Sequence, residues 1–437
     1  MMLFEILRRD KFQRFVLTVR QEGLLSGLKK TWRYLSARLQ GHGLSSLHQN
    51  GSGPILSSEY MNRVWLELAE KQAFHISTAP ALLQKRRKIV LIGDLNLPQC
   101  RKYRAEQLAE LWALEGVEYG FSHYEDVRRS VALLQDATHV IFYRLRSTPV
   151  TSMLAYEARR LRLPILYDLD DPLFSVSAYG TYQNMNALPL SQRSRFVNEA
   201  PRYLDVINSA DIVSVSTPSL IEHTKKLTPR PVHLRRNFAD RTSLKAGARA
   251  MGQVQRDDVF RLCFASGSHG HEVDFAQIQK DVFAFLAKDR TRKLMILGHF
   301  DNKLLPSGLG DQIEVHPFSS YRSYLGTLAA ANVAVMPLAD DAFNRCKSGV
   351  RVIDAASVGV PSLVGNISDM AALVNDHETG KVLGAGDSWL GNLEALASDR
   401  AGLRAMGRAA RKALENNWAA GSNPRIIDPE ILDWVHA

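Results

Sequence analysis

The 437-residue chain predicts two α/β domains in series, each built on a parallel sheet, behind a short helical extension. Three observations predict this class. Short apolar runs alternate with amphipathic stretches twice over, once from Lys88 to Ser216 and again from Phe260 to Gly365. Between the two series, around Asn237 to Asp258, the pattern dissolves into polar and basic residues, as at a domain boundary. Residues 1–40 stand apart from both, with bulky apolar side chains at helical spacing amid an excess of Lys and Arg.

The extension reads as two amphipathic helices. Phe4, Leu7, Phe12, Phe15, Val16 and Val19 mark the first, Leu24, Leu28, Trp32, Leu35 and Leu39 the second, and Gly23 breaks them. Nine Lys or Arg against three acids place +6 of the net +10 in these forty residues. That combination fits a helix lying on a membrane surface, and equally one whose apolar stripe packs on the body of the protein. The Gly/Ser-rich run from Gly41 to Ser58 reads as a linker. The expected boundaries are 1–58 for the extension and linker, 59–240 and 258–416 for the two domains, and 417–437 for a tail.

In the first domain, Lys88–Gly93, Thr138–Tyr143, Pro164–Asp168 and Ile212–Ser216 are short apolar runs of the kind that form buried parallel strands. Helices are expected from Tyr103 to Leu114, around Met153–Leu161, and from Thr217-Pro218, with Thr as cap and Pro in the first turn. In the second domain the strands are Phe260–Ala265, Lys293–Gly298, Ala331–Met336 and Pro361–Gly365. Helices fall near Phe275–Leu286, Tyr321–Ala330, Val350–Val358, Ser368–Asn375, Trp389–Ala397 and Ala401–Asn416. Such sheets bind ligands at the carboxyl ends of their strands, here facing a cleft between the domains.

Composition narrows the function. There is no run of eighteen apolar residues, and Arg8, Arg9, Asp10, Lys11 and Arg14 interrupt the first apolar stretch, so neither a spanning helix nor a signal peptide is expected and the chain should stay in the cytoplasm. Cys100, Cys263 and Cys346 are far apart, against a disulfide framework or a cysteine metal site. The net charge calls for an anionic partner. Nucleic acid is not expected, because the excess lies in an amphipathic terminal segment and the core lacks a basic–aromatic platform. No GxGxxG follows Lys88–Gly93, against a dehydrogenase.

The segment from Phe343 to Pro361 is the most informative. A loop with Lys347, Ser348 and Gly349 enters a helix whose first-turn N–H groups are free to bind an anion, and the lysine adds a point charge for a diphosphate. Asp354, about two helical turns beyond Lys347, can share that face and accept from ribose hydroxyls. The plain alternative is a helix start capped by Ser348. In the loop of Gly267 and Ser268, glycine permits close approach to phosphate, with His271 or His269 as a donor to it or as a solvated loop residue. The acidic run Asp168, Asp170, Asp171 admits a hard cation, a metal-independent role near the reacting groups, or a capped turn. Arg104, Arg144 and Arg146, at strand ends, could bind an anionic acceptor or be surface residues.

From Lys88 to about Asn416 the chain resembles GT-B-fold glycosyltransferases of the GT4 type found in bacterial surface-glycan synthesis. Four segments carry the resemblance: Lys347-Ser348 with a basic residue, an acid and Gly359-Val-Pro361 in order; Gly267 to Phe275, similar to Gly-Thr-x-x-His-x-x-Asp-Phe; Tyr167 to Phe174, similar to Tyr-Asp-Ile-Asp-Asp-x-Leu-Phe; and the Tyr- and Arg-containing loops Cys100–Arg104 and Phe142–Arg146. The resemblance implies the GT-B fold and sugar transfer from a nucleoside diphosphate sugar to a hydroxyl of a glycan or lipid-linked acceptor. Retention of configuration and no metal or other cofactor are implied with it. Gly267, Ser268, His271, Lys347, Ser348, Gly349 and Asp354 would then hold the donor, Asp170 and Lys347 would serve the reaction, and Arg104, Arg144, Arg146 and Asp171 would face the acceptor. Two positions depart from the pattern. Cys346 stands at the first of the paired glutamates many relatives carry, with Asp354 at the second, and Asp170 stands where relatives often have a histidine. A GT-B-shaped protein that binds without transferring is the alternative these departures favour.

Overall fold

The computed structural model describes Leu24, Leu25, Leu28, Thr31, Trp32 and residues 86–437 apart from 255–256, 268–269, 302–303 and 422–425. Residues 1–72 and 73–437 form separate units. In the first, the five described residues are helical. The expected Gly/Ser linker and the start of the first domain lie outside the described residues.

The second unit holds two six-stranded, all-parallel sheets. The first is ordered β2-β1-β3-β4-β5-β6, from β1 (Lys88–Gly93), β2 (Glu118–His123), β3 (His139–Tyr143), β4 (Ile165–Leu169), β5 (Ile212–Val215) and β6 (Val232–Leu234). The second is ordered β12-β11-β10-β7-β8-β9, from β7 (Phe260–Ser266), β8 (Arg292–Gly298), β9 (Ile313–His316), β10 (Val333–Met336), β11 (Ser362–Gly365) and β12 (Gly380–Leu383). The eight runs expected as strands are all present. They form the interior of both sheets, where helices cover both faces and only uniformly apolar sequence is tolerated. Ile89 to Ile92 of β1 are fully buried, each contributing on the order of 1.5–3 kcal/mol.

Two stretches at the domain junctions carry regular structure. The polar stretch after Asn237 contains a helix, Arg241–Gln253, capped by Asp240 through the Ser243 amide at 2.8 Å. Its small residues face a neighbour: a Cβ on Gly247 would collide with the Ser357 carbonyl at the end of the Val350–Ser357 helix. The tail beyond Asn417 returns to the first domain, where Ile426, Ile427, Ile431 and Val435 share a core with Leu91, Leu108 and Trp112. The last helix is Pro429–His436. A third core joins the two domains, with Tyr103 and Ala239 packed against Ile353, Ala356, Leu414 and Trp418.

Candidate functional site

The carboxyl ends of β3 and β4 on one side, and of β7 and β10 on the other, bring together most of the residues the sequence singles out. At the end of β3, Arg144 adopts φ 50°, a left-handed conformation uncommon outside glycine and found at sites where position matters more than local comfort. Its guanidinium donates to Cys100 Sγ at 2.8 Å and lies 3.4 Å from Asp170 and 3.7 Å from Asp171. Burial works against its charge, but these acids outweigh it and raise its pKa. Tyr143 donates to the other Asp170 oxygen at 3.1 Å. Asp171 reaches across to Lys347 Nζ at 3.7 Å, so one carboxylate joins a cation from each domain.

Asp168, one residue inside β4, has a different part. It is fully buried between Arg104 and Arg235, with Ser214 donating at 2.5 Å. Burial alone would raise its pKa, yet the two guanidinium groups hold it below the ordinary value. Arg104 also donates to the Arg235 carbonyl and to Asn237 Oδ1, at 2.7 and 3.1 Å. Arg104 is thus committed inside the framework rather than presented to an acceptor. Arg146, also buried, pairs with Glu199 of the Leu190–Ser209 helix at 3.3 Å. Of the three arginines expected at an acceptor, Arg144 alone stands at the cleft.

On the facing side, His271 bonds Asp274 at 2.8 Å, and burial lowers its pKa, favouring the neutral ring. Asp274 is saturated: Asn184, Asn344 and the Ala339 amide all donate to it. Asn184 belongs to the first domain, and its carbonyl would stand 3.0 Å from a Cβ on Gly270 (φ 102°), so this loop requires glycine there. Gly267 ends β7 with open space around it, while Ser268 and His269 lie outside the described residues.

Lys347 sits 5.1 Å from the Phe343 ring centre and 5.5 Å from that of Tyr182, and these two rings stack at 4.0 Å. Burial disfavours its charge, but Asp171 and Asp274 prevail and raise its pKa. Gly349, not Ser348, is the cap residue of the Val350–Ser357 helix, and no side chain caps it. Ser348 instead accepts from Asn237 Nδ2 at 2.9 Å. Cys346 is buried, its thiol pushed up to about 12 chiefly by burial, and its carbonyl accepts from Thr217.

Asp354 is buried and doubly occupied. Oδ1 accepts from Tyr103 of the first domain and from Tyr321 of the second, the latter at 2.8 Å. Burial lifts its pKa to about 6, partly offset by these phenols and by Lys102. In this arrangement one of the two carboxylate oxygens is committed to tyrosines.

Sequence reasoning counted one residue here only as the basic member of the Lys347-Ser348 pattern and gave it no role of its own. Arg351, in the first turn of the helix, has a buried Nη1 with no partner among the described residues. Its charge opposes those of both Lys347 and His271, so the three lie within electrostatic reach of one another. The signal was its place three residues after Ser348.

No protein-family model matches the chain, and no curated protein sequence does. Solved structures do match. Sucrose-phosphate synthase from Thermosynechococcus elongatus aligns with 80% of this chain and 98% of its own at TM-score 0.51 and 15% identity. A glycosyltransferase from Rickettsia africae ESF-5 aligns with 81% of this chain and 99% of its own at TM-score 0.52 and 12% identity. The class defined by these two facing sheets is the two-domain GT-B fold, as the sequence leads one to expect.

Proposed function

We propose that the protein is a glycosyltransferase that moves a sugar from a nucleoside diphosphate sugar to a hydroxyl of a lipid-linked or polysaccharide acceptor, with retention and without a metal, at the cytoplasmic face of the membrane. The observation that carries the reading is the gathering of Lys347, Arg351 and His271 beside an uncapped helix N-terminus at the carboxyl end of the second sheet. Lys347 and Arg351 repel one another, the neutral His271 ring can donate, and the buried Arg351 Nη1 has no partner among the described residues. A diphosphate answers these conditions. In the transfer, negative charge builds on the departing diphosphate, and groups fixed in advance around it lower the barrier. Gly267, Ser268 and Gly349 would let the backbone approach the phosphates, and Asp354, freed from Tyr103, would take the ribose. Asp170, held by Tyr143 and Arg144, and Asp171, beside Lys347, would face the sugar and the acceptor hydroxyl. The overall likeness to a sucrose-phosphate synthase and a glycosyltransferase favours transfer over other uses of the fold.

A second reading has its own support. Cys346, a buried neutral thiol, offers no carboxylate to sugar hydroxyls, as a protein that binds a nucleotide sugar without turning it over would allow. One experiment separates the two. Thermal shift against UDP-, GDP- and dTDP-sugars identifies the donor, and release of free nucleotide is then followed with that donor. Binding with release, both lost in Lys347→Ala, supports the enzyme. Binding without release supports the second reading, and no binding to any of them defeats both.

A further inference from the structure

Four described residues of the first unit are large, apolar and exposed. Leu24, Leu25, Leu28 and Trp32 are helical, and 60%, 84%, 51% and 74% of their surfaces are open to solvent. At about 100° per residue these four positions fall within one arc of about 100° around a helix. Single exposed leucines are ordinary, but four large apolar side chains on one arc are not. The same stretch is basic: Lys29, Lys30 and Arg33 lie among these residues in sequence, and residues 1–40 carry nine cations against three anions. An apolar arc ending in tryptophan, in a segment of strong positive charge, matches the surface of an anionic bilayer, where the rings and leucines enter the headgroup boundary and the cations meet lipid phosphates. None of the described helices is long and apolar enough to cross a membrane.

We infer that residues 24–33 dock the protein on anionic lipid through Leu24, Leu25, Leu28 and Trp32. This does not rest on the glycosyltransferase reading, and each can fail alone. The test is flotation of the full chain with vesicles of phosphatidylcholine, alone or mixed with phosphatidylglycerol, together with the double variant Leu25→Ser/Trp32→Ser. The wild type should float with the mixed vesicles and far less with phosphatidylcholine alone, and raised salt should weaken it. The variant should lose about tenfold or more of that partitioning while keeping the wild-type melting temperature. Equal flotation of variant and wild type overturns the proposal, as does failure of the wild type to float. It is equally overturned if the wild type forms a concentration-dependent dimer that the variant abolishes and floats no better than it, because the arc then serves a second copy of the chain.

Discussion

Tyr103 of the first domain donates its phenolic hydrogen to Asp354 of the second, so the carboxylate proposed for a ribose is held by a side chain from across the cleft. Tyr321 donates to the same oxygen, and Lys102 lies 4.3 Å above the Tyr321 ring. The arrangement ties the two domains together through one carboxylate oxygen.

Removing that phenol should therefore release the site. In Tyr103→Phe, the nucleoside diphosphate identified by thermal shift should bind about tenfold more tightly by calorimetry, because ribose no longer competes with a charge-assisted hydrogen bond of about 1.5–3 kcal/mol. Weaker binding in the variant would mean that Tyr103 contacts the nucleotide instead.

Asp354 also sets a pH dependence. Burial lifts its pKa to about 6 from the ordinary 3.8, so the folded state binds the proton more tightly than the unfolded chain. The associated stability is fully present below about pH 4 and declines as pH rises to about 6, by up to about 3 kcal/mol. Urea unfolding of the wild type and Asp354→Asn across this range should show their difference changing between these limits and constant above them. A constant difference throughout would place the carboxyl near its ordinary value.

Arg351 separates a binding role from a structural one. Arg351→Ala should weaken diphosphate binding by about 1.5–3 kcal/mol, roughly tenfold to a hundredfold, because a charged donor to phosphate is lost. It should leave the melting temperature of the free protein unchanged or raised, because a buried cation that opposes Lys347, with Nη1 unbonded among the described residues, is removed. A fall in melting temperature with unaltered binding would make the residue part of the framework.

Asp168 predicts the opposite balance. Asp168→Ala leaves Arg104 and Arg235 buried without their common anion and should cost about 3–5 kcal/mol, read by urea unfolding.

The sequence was informative where burial is complete. Every interior strand was legible, and the four that were not, β2, β6, β9 and β12, are the edges of the two sheets. An edge strand has one side open, so Glu118–His123 and Ile313–His316 mix polar with apolar residues and lose the continuous run that marks a strand. The Arg241–Gln253 helix was hidden for a related reason, since it packs through small residues such as Gly247 and Ala250. In the candidate site, Lys347, Ser348 and Asp354 drew notice together because one loop and the helix it enters carry all three. Tyr103 was not, because its partner lies 251 positions away and no local spacing announces it. Arg104 and Asp168 looked functional for their charge, which the fold uses to neutralise one another.

The return of the chain to the first domain bears on how the halves can move. Arg236 and Ala239, on the outward crossing, bond Ile426 and Trp418 on the way back, both at 2.7 Å, so the two crossings run side by side. A single crossing would act as a swivel, free to turn and tilt. Two crossings laced together act as a door hinge, confining the halves to swing about one line. The same clasp makes the last turns of the chain structural: a protein ending near Asn417 would lose the side chains that complete the first core.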